Sequence, residues 1–162
     1  MRIFIILITF SLCSAIVSAK AAAISCEERT KSAFPGYELT SGSVERGIPA
    51  HDPTKLYSKT TGDFDGDGKE DVALLLRPTS GHGKYAISVC LSSKPSEPPT
   101  LIQNAYTYGP LSTTPKGREY YDFNTDKEGR YELDGIGSYC CECCGATYIL
   151  RKGRFVEIID SD

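Results

Sequence analysis

The chain has 162 residues and a formal net charge of −3, with 21 acidic residues against 18 basic ones. That length suits one domain with one core. With no basic stripe, nucleic acid is a poor candidate partner, and no apolar stretch is long enough to span a bilayer.

Residues 1–19 have the form of a secretory signal. Arg2 supplies the positive start, Ile3 to Leu12 the apolar run, and Val17-Ser18-Ala19 a small-residue cleavage site, with later alternatives at Ala21-Ala22-Ala23. Lipid anchoring fits neither early cysteine. Leu12 is too large to precede a processed Cys13, and Ala23-Ile24-Ser25 before Cys26 lacks the usual Leu. The expectation is a periplasmic or secreted protein with no membrane insertion after cleavage. Removing the signal takes one charge, Arg2, leaving 17 basic residues against 21 acidic ones, a net of −4. A single domain is expected over 24–162.

Ser25 can cap a short helix, with Glu28 three residues on completing a capping box. The helix should run to about Phe34, where Pro35-Gly36 stops it. Tyr37 to Leu39 begins extended structure. Ser41 to Thr54, rich in Gly, Ser and Pro, has the composition of a surface loop. Leu56 to Thr61 is expected to be a strand that enters the most informative stretch of the chain.

That stretch is Asp63-Phe64-Asp65-Gly66-Asp67-Gly68-Lys69-Glu70-Asp71. Asp stands at positions 1, 3, 5 and 9 of a nine-residue loop, with Gly at position 6. A hard cation needs several oxygen ligands converging from a tightly curled backbone, and calcium sites are built this way. Gly66 and Gly68 allow the positive-φ turns that the curl requires. The expected ligands for one Ca²⁺ are the carboxylates of Asp63, Asp65, Asp67 and Asp71 and the carbonyl of Lys69. An EF-hand would place a bidentate Glu at position 12, where this chain has Leu74. No long amphipathic helix leaves the loop either. Val72-Ala73-Leu74-Leu75-Leu76 has the look of a buried strand.

Beyond the loop, a turn is expected through Pro78 to Gly83, then a strand at Tyr85 to Leu91 with apolar residues in alternation. Ser92 to Pro99 is a Pro- and Ser-rich connection. Leu101 to Tyr108 is a strand candidate, and Leu111 to Gly117 a loop. Glu119 to Phe123 and Arg130 to Leu133 are expected as short strands. Between them, Asp122-Phe123-Asn124-Thr125-Asp126 repeats the acidic spacing, but Lys127 replaces the Gly and Arg130 the last Asp. An Asx-type turn is expected there rather than a second metal site. Ala146 to Arg151 and Arg154 to Ile159 form a hairpin around Lys152-Gly153. Six to nine short strands and one N-terminal helix make an α+β domain. Its sheet should be mainly antiparallel, with the calcium loop between two strands.

The run Gly62-Asp63-Phe64-Asp65-Gly66-Asp67-Gly68, followed by Asp71-Val72-Ala73-Leu74, resembles the FG-GAP repeat. That repeat supplies calcium loops to integrin-type β-propellers and to many exported bacterial proteins. A propeller needs several blades, and one copy is present here. The resemblance implies the ligand pattern and not the propeller. As a whole the chain is also loosely similar to small exported bacterial proteins that carry one such loop and end in a hairpin like Gly153-Arg154-Phe155-Val156-Glu157.

Cys26, Cys90, Cys140, Cys141, Cys143 and Cys144 remain after the signal. An even number in an exported chain suggests disulfides. Only Cys26 and Cys90 lie outside the cluster at 140–144, so full oxidation requires at least one bond inside it. Sequence neighbours hold their Cα atoms about 3.8 Å apart, below the usual range of about 4.4–6.8 Å for a disulfide. Cys140–Cys143 or Cys140–Cys144 are therefore preferred. Soft-metal binding by the cluster has the wrong spacing for structural zinc, and redox use would want a Cys-x-x-Cys pair at a helix N-terminus.

Only His51 and His82 could serve as imidazole bases, both in expected loops. Neither a Gly-x-Ser-x-Gly elbow nor a His-Glu-x-x-His helix is present. The expectation is an exported, calcium-stabilised, non-enzymatic module that binds a protein or glycan. The alternative is a periplasmic inhibitor or immunity protein blocking a secreted enzyme, which one tightly captured enzyme in a pull-down would reveal. A hydrolase with structural calcium comes third, and turnover sensitive to His82→Ala would favour it.

Overall fold

The structure is a computed structural model and describes residues 24–40, 58–105, 110–140 and 144–160. The expected helix is present as α1, Cys26–Ala33. Ser25 caps it: its Oγ accepts the Glu28 N–H at 3.2 Å while the Glu28 carboxylate accepts the Ser25 N–H at 3.0 Å.

Eleven strands follow among the described residues. They are β1 Tyr37–Leu39, β2 Lys59–Gly62, β3 Asp71–Pro78, β4 Ala86–Cys90, β5 Thr100–Ile102, β6 Leu111–Thr114, β7 Glu119–Asp122, β8 Lys127–Arg130, β9 Gly135–Cys140, β10 Cys144–Arg151 and β11 Arg154–Asp160. Every pairing is antiparallel. β3 is the axis of the first sheet. One of its edges carries β4, then β5; the other carries β2 along Asp71–Leu74 and β1 along Leu76–Pro78. The second sheet runs β11-β10-β9-β6, and β7 and β8 form a separate hairpin.

Strand periodicity decides how these pieces stack. Ala73, Leu75, Ile87 and Val89 face the second sheet and meet Leu111, Ile136, Ala146 and Tyr148 in the main core. Leu74, Leu76 and Ala86 face the opposite way, against Cys26 and Phe34 of the helix region. β3 is thus buried on both faces, which explains its unbroken apolar run. The outer face of the second sheet, through Ile149 and Ile158, packs against Tyr131 and Tyr120 beside the β7–β8 hairpin. The order through the molecule is helix, sheet, sheet, hairpin.

Two ties fix α1 to its sheet. Thr30 and Ser88, both buried, share a hydroxyl hydrogen bond of 2.7 Å. Cys26 and Cys90 are joined by a disulfide across 64 residues of sequence.

Among the described residues, mainly antiparallel sheet with one short helix matches the sequence reading, and several boundaries correct it. The strand count exceeds six to nine. Leu111–Thr114 is a strand and not a loop: Thr113 Oγ1 donates to the Thr61 carbonyl at 2.6 Å, and Leu111 and Thr114 are buried. Polar Ser and Thr there conceal the alternation. The strand expected at Arg130 to Leu133 lies earlier, at Lys127–Arg130. β9 was not foreseen, because Gly135 and Gly137 lower apparent strand propensity. A Cβ on Gly135 would come within 2.4 Å of Thr147 Cγ2, so the close approach of β10 requires glycine. Of Leu101 to Tyr108, only Leu101 and Ile102 are in a strand, and positions 106–109 lie outside the described residues. The surface loop expected at Ser41 to Thr54, with His51, also lies outside them.

Candidate metal centre

β2 and β3 are two arms of one hairpin, with Gly62 opposite Asp71 as its last pair. The acidic loop is its tip. Phe64, at the loop's second position, is fully buried in the main core. Burying such a ring contributes about 1.5–3 kcal/mol and holds the loop down, with the half-buried Asp63 and Asp65 on either side of the anchor. Gly62 makes room for that ring, since a Cβ there would lie 2.8 Å from Phe64 Cε1.

The curl then follows from glycine and from the carboxylates themselves. Gly66 and Gly68 have φ of 82° and 80°, a region favourable to glycine. Their N–H groups donate to Asp63 Oδ1 at 2.8 Å and Oδ2 at 3.1 Å. The Asp67 N–H donates to Asp65 Oδ1 at 3.1 Å, and the Lys69 N–H to Asp67 Oδ1 at 2.8 Å.

Asp63, Asp65 and Asp71 converge: each offers a carboxylate oxygen, and these lie within 4.8 Å of one another. Asp67 and Lys69 are exposed on the outer turn, outside that trio, with Lys69 Nζ 3.7 Å from Asp67 Oδ2. Asp71 is fully buried. Its Oδ2 accepts the Phe64 N–H at 2.9 Å and its Oδ1 the Ser92 N–H at 2.7 Å. Burial pushes its carboxyl above the ordinary range; the Ser92 N–H opposes the shift, nearby Asp65 adds to it, and the Phe64 N–H opposes it.

Three further side chains reach the loop from elsewhere. Ser93 Oγ donates to Asp65 Oδ2, and Ser92 Oγ lies 3.3 Å from Asp67 Oδ2. Asp134 Oδ2 accepts the Asp63 N–H at 3.0 Å while its Oδ1 accepts the Lys116 N–H at 2.9 Å, tying the loop to the segments flanking the second sheet. The spacing of the loop shows none of these. The serines could have been found from the strand pattern, because the antiparallel β3–β4 pairing sets Cys90 beside Val72 and so returns Ser92 to Asp71.

The second acidic run makes the expected Asx turn. Asp122 Oδ1 accepts the Asn124 N–H at 3.0 Å, and Asp126 adopts φ of 56°. Among the described residues only the Asp63, Asp65 and Asp71 trio gathers as a metal-ligand group. His82 sits exposed in a turn, its carbonyl accepting from Ser80 Oγ at 2.9 Å. Of the disulfide candidates, Cys26 and Cys90 pair with each other. Cys140 ends β9 and Cys144 begins β10, while Cys141 and Cys143 lie outside the described residues. Among the described residues no helix is long and apolar enough to cross a membrane.

No protein-family model, no curated protein and no solved structure matches the chain.

Proposed function

We propose that the 63–71 loop holds one Ca²⁺ and that the chain is an exported, calcium-stabilised, non-enzymatic binding module. The observation that carries this reading is the convergence of three carboxylate oxygens within 4.8 Å, one of them on a buried side chain. Like charges at such a separation repel by about 3 kcal/mol per pair at an effective dielectric of about 20. A divalent cation offsets that repulsion, and the donor set is all oxygen, as calcium prefers. Asp63, Asp65 and Asp71 would be the core ligands. Asp67, the Lys69 carbonyl and water would complete the shell.

The ion's role is structural. It closes the tip of the β2–β3 hairpin and takes no part in bond making. The exposed Tyr121 and Phe123, stacked edge to face with centroids 5.1 Å apart, supply an aromatic surface for a protein or glycan partner.

Thermal melting in chelator, Ca²⁺ or Mg²⁺ tests the ion. An affinity on the order of 10⁻⁵–10⁻³ M is expected, since no bidentate Glu follows the loop. Filling the site at a hundred times the dissociation constant stabilises the fold by about 2.7 kcal/mol. Mg²⁺ should do less, and Asp65→Ala should abolish the calcium-dependent rise. Equal melting temperatures in chelator and millimolar calcium would overturn the reading.

A further inference from the structure

The β7–β8 hairpin presents a face that the acidic loop does not use. In its register Glu119 lies opposite Arg130 and Tyr121 opposite Glu128. Strand alternation puts these four side chains on one side, while Lys127, opposite the buried Asp122, belongs to the other. Tyr121 and Phe123 meet edge to face and are 38% and 56% exposed, so the rings do not stack over one another. Adjoining exposed rings form the kind of patch that marks an interaction site. Beside them runs a groove of about 650 Å³, lined by Glu119, Tyr120, Tyr121, Glu128, Gly129 and Arg130. Gly129 keeps the Tyr120 ring in place there, since a Cβ would lie 2.5 Å from the Tyr120 hydroxyl. The lining holds rings and charges and no aliphatic side chain.

The charge around the rings selects the occupant. Glu119 forms an ion pair with Arg130, which offsets that cation. Asp126 accepts the Tyr121 hydroxyl, and Glu128 stands directly across from Tyr121. Both carboxylates act on the ring: the Asp126 hydrogen bond pushes the Tyr121 phenol above its ordinary value, burial adds to the shift, and the Glu128 charge adds further. A neutral ligand would strip water from these carboxylates without replacing its interaction with their charge. A guanidinium or ammonium gains from the ring faces and from the carboxylates together. The chain's net charge of −3 steers basic partners in the same direction. We propose that this face binds a basic segment of a partner protein, with an Arg or Lys side chain lying against Tyr121 and Phe123 and with Asp126 and Glu128 as counter-charges. This names the partner chemistry of the binding-module reading above; it rests on that reading and not on the ion.

Amide NMR of the purified protein in saturating Ca²⁺ tests this. The probe is an acetylated, amidated Gly-Arg-Gly-Arg-Gly peptide, and the neutral control is the same peptide with citrulline in place of Arg. The Arg peptide should shift the amides of residues 119–130, bind more weakly as salt rises, and bind more tightly than the control. Tyr121→Ala, Phe123→Ala and Glu128→Gln, all at exposed positions, should each weaken it by about two- to fivefold. Amides outside the hairpin report that each variant is folded. Equal binding of the citrulline peptide, shifts centred away from 119–130, or an affinity unchanged in all three variants would overturn the proposal. Hairpin shifts with chitohexaose and none with the Arg peptide would also overturn it, assigning the face to a glycan. The calcium reading is decided separately by the melting temperatures, so failure of one is distinguishable from failure of the other.

Discussion

Asp71 shows what a single carboxylate can do in this loop. Its two oxygens accept N–H groups from Phe64 and Ser92, so it joins the loop's anchor to the chain leaving β4. Asp71→Asn keeps the shape but turns one acceptor into a donor facing an N–H. The expected loss is about 1–3 kcal/mol, measured by urea unfolding. Without divalent cations Asp71 also gives stability a pH dependence of definite sign. Its folded pKa is raised above 3.8, so the native state holds the proton more tightly than the unfolded chain. The contribution is complete below that ordinary value and is lost as pH rises through the raised one. Cation-free protein should therefore lose stability over that window relative to Asp71→Asn, and saturating Ca²⁺ should reverse the slope. A slope identical in wild type and variant would remove Asp71 as its source. At this scale the sequence was legible where chemistry is local. The Asp spacing and the two positive-φ glycines are visible in nine residues, whereas Ser92, Ser93 and Asp134 reach the loop only through tertiary contacts.

At the scale of elements, local codes were read well and pairing-dependent ones poorly. α1 is specified by the Ser25–Glu28 box, and the β10–β11 hairpin by the turn at Lys152-Gly153, where φ is 50° and 79°. β6 and β9 are strands because their neighbours make them so. Their Ser, Thr and Gly residues fit beside Ser58, Thr60, Thr61 and Thr147, a fact that no window of the sequence contains. α1 itself has modest apolar content, with Thr30 its one fully buried residue, and depends on its attachments. The Cys26–Cys90 bond spans 64 residues, and the chain-entropy relation assigns a loop of that size about 4 kcal/mol. Cys26→Ser/Cys90→Ser should lower unfolding free energy by up to that amount, read by denaturant titration under non-reducing conditions. A variant as stable as wild type would show that Thr30–Ser88 and the apolar contacts suffice.

For the whole molecule, the class was legible and the layering was not. The continuous run at Val72 to Leu76 shows a strand buried on both faces, whereas the alternation in Tyr85 to Leu91 conceals that β4 is buried on both faces too, with Ala86 and Ser88 on the helix side. They do not show that one covering layer is a second sheet and the other a helix. That arrangement depends on pairings such as β1 with β3 and β6 with β9, which join distant parts of the chain. The position of β3 has a kinetic meaning of its own. Val72 to Leu76 are matched on both edges, by β4 on one side and by β1, β2 or Ser58 on the other, where the Leu75 N–H reaches the Ser58 carbonyl at 3.0 Å. Each amide is bonded to one edge only, as Leu75 is to Ser58, so freeing all of them requires both neighbouring edges to open. In heavy water the protons of Ala73 to Leu76 should be the last to be replaced, at a rate set by complete unfolding. Their exchange becomes an internal clock for global stability, and early loss of those protons would mean that the central strand can open while the rest of the fold persists.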